Sequence, residues 1–355
     1  MNEMIERIIV LGGKGGVGKS TISAATAVIL SDLLPEKKIL LISFDIAHNL
    51  SDLFARDVGD KLTKLTDNLW GIEPDPNVYA EEYTRNFNSK MRELMKRMPI
   101  VGHIPQIKNF IDNTMTSDSI PLALKNSMFF QKILDADSSI YRAQNVEAID
   151  FDIVVADFPP TGNMIALFEI PDDQIRVLLK YTLNFFNSIR DSMKKFQKKM
   201  MKPLFTLLSP AGSGDERKEI GKEVFNMLQE LEERGSRISE LIHQKGSLRL
   251  VTIAEKPSFE EIKRARDLSE KYISLDGVHI NMLTPEKSAK KCKFCGKMHE
   301  HQTKYLEDIR KEFQKLKIWE SDKLEDEPIG LDGLRKLARE VYGDVSANQI
   351  THPHK

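Results

Sequence analysis

Short apolar runs separated by longer amphipathic stretches recur along the chain. They lie at residues 6–12, 38–43, 151–157, 248–254, 277–283 and 316–319. The run at 38–43 is continuous rather than alternating, which is typical of parallel strands buried on both faces. The alanine-rich stretch at 19–33 predicts a helix that ends before Pro35. This order of elements predicts an α/β fold with a mainly parallel sheet flanked by helices.

The first apolar run leads into a glycine-rich loop. Gly13 to Ser20 fit the G-x-x-x-x-G-K-S spacing of a P-loop NTPase, in which backbone N–H groups surround phosphates at the positive end of a helix. We expect Lys19 to reach the β- and γ-phosphates of ATP and the hydroxyl of Ser20 to bind Mg²⁺. The alternative is a strand-to-helix turn without a ligand. The predicted nucleotide-binding residues of the loop are Gly13, Lys14, Gly15, Gly16, Val17, Gly18, Lys19, Ser20 and Thr21.

Two acidic residues stand at the ends of predicted buried strands. Asp45 follows the run at 38–43, and Asp157 ends the run at 151–157. Ligands of open α/β sheets lie at the carboxyl ends of the strands. Asp45 is therefore predicted to orient or deprotonate the attacking water, with a helix cap as the alternative. Asp157 is predicted to support the Mg²⁺ site.

Composition narrows the class of protein. The chain has 355 residues, and its 52 basic and 53 acidic side chains nearly cancel, so nothing predicts broad attraction to nucleic acid. No apolar stretch approaches the roughly 20 residues that span a bilayer, and residues 1–7 are too polar for a signal peptide. These features predict a cytoplasmic protein. Two cysteines, three residues apart, exclude a disulfide framework.

The cysteine pair is a candidate zinc site. Zn²⁺ prefers four ligands in a tetrahedron, and Cys292 and Cys295 supply two of them. The site is completed either by His299 or His301, or by the same cysteines of a second subunit on a two-fold axis. A redox-active pair is the third interpretation.

Methionine is enriched in two stretches, 80–135 and 180–208. In the second, apolar residues recur at steps of three and four, which predicts an amphipathic helix with a lysine-rich opposite side. Methionine side chains adapt to apolar partners of different shape, so the stretches are candidates for a groove that binds a hydrophobic helix. Ordinary helical core and contact with a membrane surface are the alternatives. The candidate groove residues are Met91, Met95, Met98, Phe186, Ile189, Met193, Phe196 and Met200.

Together the motifs resemble one family of ATPases, with a tail-anchored-protein targeting branch and an arsenite-pump branch. The similarity rests on Lys14 early in the P-loop, on the segment from Asp45 to Asp52 and on Pro159 to Gly162. The chain departs from the family pattern at Ile46, where proline is usual, and at Asn163, where histidine is usual.

The resemblance implies a working homodimer. In this class Lys14 crosses the interface to the partner's nucleotide, and the cysteine pairs of two subunits share one zinc ion. Glu255 matches a nucleotide-proximal glutamate, and Asn281 matches the asparagine that binds adenine. The targeting branch has an inserted α-helical subdomain that binds clients, which would correspond here to about 80–135 and 180–208 of a single P-loop domain. Residues 343–355 are predicted to form a flexible tail.

The function expected from these features is ATP-driven targeting. The chain would bind the transmembrane helix of a tail-anchored protein and deliver it to a membrane receptor, with at most transient membrane contact and no nucleic acid. An arsenite-pump ATPase subunit is the first alternative, although its usual duplication and extra cysteines are missing from this sequence. A positioning or partitioning ATPase and a general membrane-protein holdase are further alternatives.

Overall fold

The computed structural model describes most of the sheet-forming part of the chain. The described residues are 5–45, 50–75, 150–162 and 240–353, with the single positions 78, 81, 85, 89, 133, 164 and 237. The chain divides into two units, and the first comprises Met1–Asp75, Gln131–Phe168 and Ser239–Lys355. The second comprises Pro76–Phe130 and Glu169–Ile238. The eight candidate groove residues lie outside the described residues, so the client-binding subdomain stays a prediction.

The described residues form one sheet of eight strands, in the order β3-β4-β2-β5-β1-β6-β7-β8. All neighbouring pairs are parallel except β3 and β4, which are antiparallel. The central strand β1 pairs with β5 on one side and β6 on the other. The strands are β1 (Arg7–Gly13), β2 (Ile39–Ser43), β3 (Thr63–Lys64), β4 (Leu69–Ile72), β5 (Ile153–Asp157), β6 (Gly246–Ile253), β7 (Ser274–Leu283) and β8 (Lys317–Asp322).

Helices cover both faces of the sheet, because the central strands carry apolar residues on each side. Ile9 and Leu11 of β1 belong to a core with α1 and α6, whereas Ile8 and Val10 alternate to the face where α3 packs on β1 and β6. The helices within the described ranges are α1 (Lys19–Leu33), α2 (Leu50–Phe54), α3 (Lys256–Ser269), α4 (Glu286–Lys291), α5 (Lys293–Glu312), α6 (Gly330–Tyr342) and α7 (Ala347–Thr351). None of these helices has the length and apolar character needed to cross a membrane.

The predicted fold class is confirmed: the sheet is mostly parallel, with flanking helices. Each of the six apolar runs overlaps a strand, and α1 has the predicted bounds. The short antiparallel pair β3 and β4 was not predicted.

The prediction of a flexible tail at 343–355 is wrong for α7. Ser346 caps this helix through a reciprocal pair of hydrogen bonds with Gln349, and Ile350 is fully buried. The carbonyl of Ile350 accepts a hydrogen bond from the buried guanidinium of Arg249 on β6. Helix α7 is therefore held in place by the buried Ile350 side chain and by Arg249, whose buried guanidinium requires a hydrogen-bond partner.

Candidate functional site

The P-loop joins β1 to α1 through a backbone that glycine makes possible. Gly18 precedes the helix with φ 86°, in the left-handed region, and a Cβ atom there would collide with the amide of Asn281. Gly13 has φ 154°, and a Cβ atom there would collide with the carbonyl of Val251. The loop is thus held between β6 and β7 by contacts that only glycine allows.

Lys19 lies within the loop rather than in solvent. It is the first residue of α1 and is only 4% exposed, and its ammonium group donates to the carbonyl of Lys14 at 3.2 Å. This places a positive charge at the start of a helix, where backbone N–H groups and the helix dipole also favour an anion. Lys14 itself is half-buried, and Gly15 and Gly16 are exposed.

Asp157 lies at the floor of the site. It ends β5 between β1 and β2, is fully buried, and its carboxylate accepts hydrogen bonds from Ser23 at 3.3 Å and Ser43 at 3.1 Å. Burial raises the pKa of Asp157 to about 6, and the charge of Asp45 acts in the same direction. Hydrogen bonds from Ser20 and Ser43 and the charge of Lys19 oppose this rise in pKa.

These contacts fit a Mg²⁺ ion bound with ATP. Mg²⁺ in nucleotide sites takes few protein ligands and retains waters, and it prefers hard oxygen donors such as the Ser20 hydroxyl. The Asp157 carboxylate lies close enough to that hydroxyl for Ser20 to lower the pKa of Asp157, and it can orient a water beside the ion. Within the described ranges no three His, Cys, Asp or Glu side chains form a metal-binding group.

Asp45 follows β2 at the same edge of the sheet. It is half-buried, and its backbone N–H donates to the hydroxyl of Ser43 at 3.4 Å. Ser43 therefore contacts both acidic residues of the site, since it also donates to Asp157. The residues after Asp45, including Ile46, lie outside the described residues. The structure thus places Asp45 beside Ser43 and close enough to Asp157 for their charges to interact, and its catalytic role stays a prediction.

Asn281 supports the loop from β7. Its Nδ2 donates to the carbonyl of Val17 at 3.0 Å, and its Oδ1 accepts from the hydroxyl of Ser321 at 2.9 Å. A side-chain amide has two donors and two acceptor sites, so one of each remains for the predicted adenine contact. Glu255 is half-buried, lies two residues after the end of β6 and directly precedes α3. Neither nucleotide contact is tested by the geometry.

Sequence reasoning missed the serines that hold these groups. Ser23 lies four residues after Lys19 in α1, on the same helical face, and Ser43 ends the apolar run before Asp45. A polar residue at the end of a buried strand is a usable signal because it must find a hydrogen-bond partner. Ser321 has no comparable signal, since its role depends on pairing between β7 and β8.

The cysteine pair lies at the start of α5. Cys292 precedes the helix and is exposed, and its Sγ accepts from the N–H of Cys295 at 3.5 Å. The hydrogen bond from the Cys295 backbone is the main cause that lowers the pKa of the Cys292 thiol, whereas the bond between the two side chains raises the pKa of Cys295. The two sulfur groups are close enough to act together.

A zinc site within one chain is not supported. His299 approaches the carbonyl of Thr284 with its Nδ1 at 2.9 Å, and the ring of His301 packs on Tyr305. No group of three metal-ligating side chains is found in the part of the chain that the structure describes. Among the described residues the histidine-completed alternative has no geometric basis, whereas the zinc site between two chains and the redox-active pair stay predictions.

Comparison with known proteins identifies the family. A sequence model of the anion-transporting ATPase family matches residues 6–343. The chain is 28% identical to "Putative arsenical pump-driving ATPase 1" of Aquifex aeolicus over 98% of its own length and 81% of the relative's. It is 27% identical to "ATPase GET3" of Debaryomyces hansenii over 93% and 88%. It is 26% identical to "ATPase get3" of Aspergillus niger over 99% and 94%.

Proposed function

The chain belongs to the anion-transporting ATPase family and is an ATPase; from this premise we propose that it is a homodimeric, ATP-driven targeting factor for tail-anchored membrane proteins. The observation that carries the ATP-driven part is the convergence of Lys19, Ser20 and Asp157 at the ends of neighbouring strands. The loop and strand-end motifs are common to both branches, so the choice of client rests on the single P-loop and the single cysteine pair, which members of the arsenite-pump branch usually exceed.

The proposed hydrolysis uses groups at the carboxyl ends of β1, β2 and β5. Lys19 binds the β- and γ-phosphates from inside the loop. The Ser20 hydroxyl would hold Mg²⁺, which would neutralise phosphate charge. Asp157 lies beside the Ser20 hydroxyl at the end of β5 and holds it in place. Asp45 orients the attacking water and accepts its proton. Lys14 of the partner subunit stabilises the charge that develops on the transferred phosphoryl group.

Zinc belongs to this proposal as a bridge between subunits. Cys292 is exposed, Cys295 is half-buried, and both lie at the same end of α5, so two copies of the pair would supply four thiolates around a two-fold axis. We expect Cys292→Ser to lower the zinc content and weaken the dimer. Zinc analysis of the purified variant and sedimentation at several concentrations measure both effects. Zinc content equal to that of the wild type would contradict the bridge.

The client-binding part of the proposal is supported by composition. The stretches 80–135 and 180–208 supply most of the groove residues expected for an apolar helix, and eight of the 14 methionines of the chain lie there: Met91, Met95, Met98, Met115, Met128, Met193, Met200 and Met201. A transmembrane helix of roughly 20 apolar residues needs such cover in water. Closure of the dimer around ATP would assemble the groove, and hydrolysis would release the client.

Co-expression with a tail-anchored protein tests the function. We expect a soluble complex with the full-length client and none with the same client lacking its terminal hydrophobic helix. An Asp45→Asn chain is the informative second arm, because trapped ATP should retain the complex longer. Equal capture of both client forms would point to a general holdase and contradict targeting.

The arsenite-pump interpretation is favoured by the names of several relatives, including that of Aquifex aeolicus. Two neighbouring thiols are also suitable ligands for a soft metalloid. Addition of arsenite should leave ATP hydrolysis unchanged if the targeting proposal is correct. Stimulation that is lost in Cys292→Ser would support the pump interpretation instead.

A further inference from the structure

The end of β7 lies directly against the P-loop. Asn281 donates to the carbonyl of Val17, and the methyl group of the next residue, Met282, would lie 3.3 Å from a Cβ atom at Gly18. Two consecutive residues of the strand therefore contact two consecutive residues of the loop. The position of this strand end decides where the last turn of the loop can lie before α1 begins.

Met282 adopts a backbone conformation that an L residue avoids. Its φ is 57°, in the left-handed region, where its side chain crowds the backbone. Pairing with β8 is irregular at the same place, because the register shifts between Ile280 and Leu283. The sheet ladder therefore does not hold Met282, and another group has to.

Gln302 is that group. It projects from α5 and is 6% exposed; its Nε2 donates to the carbonyl of Met282 at 3.2 Å, and its Oε1 accepts from the N–H of Thr284 at 2.8 Å. The side-chain amide of Gln302 thus pairs with one backbone carbonyl and one backbone N–H at the end of β7, as a neighbouring strand would. His299, one turn earlier in α5, approaches the carbonyl of Thr284.

We propose that Gln302 is a positioning residue of the nucleotide site. It holds Met282 in the left-handed conformation, and this keeps Asn281 on the carbonyl of Val17 and Met282 against Gly18. Among the described residues, the hydrogen bonds of Gln302 go to Met282 and Thr284 rather than to the loop, so we infer that it acts through β7. The inference rests on nucleotide binding at the P-loop and does not depend on which client or metal the protein handles.

The expected effect is on binding rather than on chemistry. A P-loop binds phosphates with backbone N–H groups, and these have to be held in place before the ligand arrives. Without the Gln302 contacts, the end of β7 is no longer fixed and the loop becomes less ordered in the free protein. The loop then loses conformational entropy when the nucleotide binds, and this lowers the affinity. Lys14 and Asp45 are unaffected, so the rate at saturating ATP changes little while KM rises.

The test is Gln302→Leu in the full-length protein, with MgADP binding measured by calorimetry. We expect the affinity for ADP to fall about tenfold, as for the loss of one buried hydrogen bond, while kcat stays within about twofold. Ile309→Val, at a fully buried site on the same helix, is the matched control, because it loosens the packing of α5 without removing the two hydrogen bonds of Gln302. Unchanged ADP affinity in Gln302→Leu would overturn the inference, as would an equal loss in Ile309→Val.

Two further arms keep the test decisive. If Gln302→Leu does not fold, Gln302→Glu retains the acceptor for Thr284 N–H but loses the donor to Met282, and the same fall in affinity is expected. Glycine adopts the left-handed region freely, so the Gln302 substitution should cost less in a Met282→Gly background; an equal cost would overturn the mechanism. Wild-type protein that binds no ADP would instead contradict the nucleotide site itself.

Discussion

At the scale of single residues, Asp45 carries the proposed chemistry. Replacement by asparagine removes the negative charge and the base while retaining the size and the backbone N–H that donates to Ser43. We expect Asp45→Asn to bind ATP normally and to hydrolyse it at least about 100-fold more slowly, which is typical for loss of a general base. Phosphate release and equilibrium ATP binding measure the two properties. Asp57→Asn, an exposed carboxylate nearby, serves as the control, and near-normal turnover of Asp45→Asn would remove Asp45 from this role.

His279 connects pH to stability. Its ring is buried on β7, stacked on Trp319 with centroids 4.5 Å apart, and burial together with the charge of Arg249 holds the pKa of His279 well below its usual 6.5. The folded protein therefore keeps His279 neutral, whereas the unfolded chain takes up a proton below pH 6.5. Stability from this residue is complete above that pH and is lost as the pH falls below it, by up to ~1.4 kcal/mol per pH unit.

His279→Phe should remove this pH dependence and keep the stacking. Urea unfolding at pH 7.5 and 5.5 gives the difference in the free energy of unfolding for each variant. Asp157 contributes with the opposite sign, because its raised pKa lets the folded protein bind a proton first as the pH falls. Only the difference between variants therefore isolates His279. His243→Gln, at an exposed position, is the control, and parallel pH curves for wild type and His279→Phe would contradict the argument.

At the scale of elements, we predict that α7 contributes more to the stability of the fold than its length of five residues suggests. Ile350 is fully buried, and its carbonyl is the partner of a guanidinium that also binds Asp276. We expect Ile350→Ala to reduce the free energy of unfolding by about 2–5 kcal/mol, the usual cost of a cavity of this size. Denaturant unfolding measures it. Asn348→Ala, on the exposed side of the same helix, should change stability little, and a similar loss in both variants would show that α7 is not anchored through Ile350.

The elements that sequence predicts well are those with long local signals. Strands β1, β2 and β5 contain continuous apolar runs, and α1 is bounded by a glycine-rich loop and by Pro35. The local sequence is therefore enough to predict these elements, without knowledge of what they pack against. The pair β3 and β4 is too short for such a pattern. Helix α7 depends on a buried arginine about a hundred residues earlier in the chain, and no periodicity in 343–355 indicates that contact.

The candidate site divides in the same way. The P-loop spacing predicts Lys19 and Ser20 directly, and a carboxylate after a buried strand predicts Asp45 and Asp157. The role of Gln302 was not predicted from the sequence, because a polar residue on a charged amphipathic helix is expected to be solvent-exposed. Its burial follows only from the packing of α5 against β7, which brings together residues about 20 positions apart. A side chain that positions the backbone, such as Gln302, is therefore harder to predict from sequence motifs than a side chain that contacts a ligand.

At the scale of the whole molecule, the proposal requires that each nucleotide site be completed by the other subunit. Lys14 belongs to the loop of its own chain, but its role is predicted to lie across the interface. Lys14→Ala and Asp45→Asn chains should each hydrolyse ATP poorly as homodimers. In a mixed dimer, one site combines Asp45 from the first chain with Lys14 from the second, so that site alone is complete.

Co-expression of the two variants therefore separates the arrangements. If Lys14 acts across the interface, random pairing makes half of the dimers mixed and half of their sites complete, and roughly a quarter of wild-type turnover should return. If Lys14 acts within its own chain, every site lacks one of the two groups and no activity returns. Differently tagged chains allow the mixed dimer to be purified and assayed by itself. A mixed dimer that forms and stays inactive would place Lys14 in its own subunit's site, because the missing lysine was present in the partner and still did not serve.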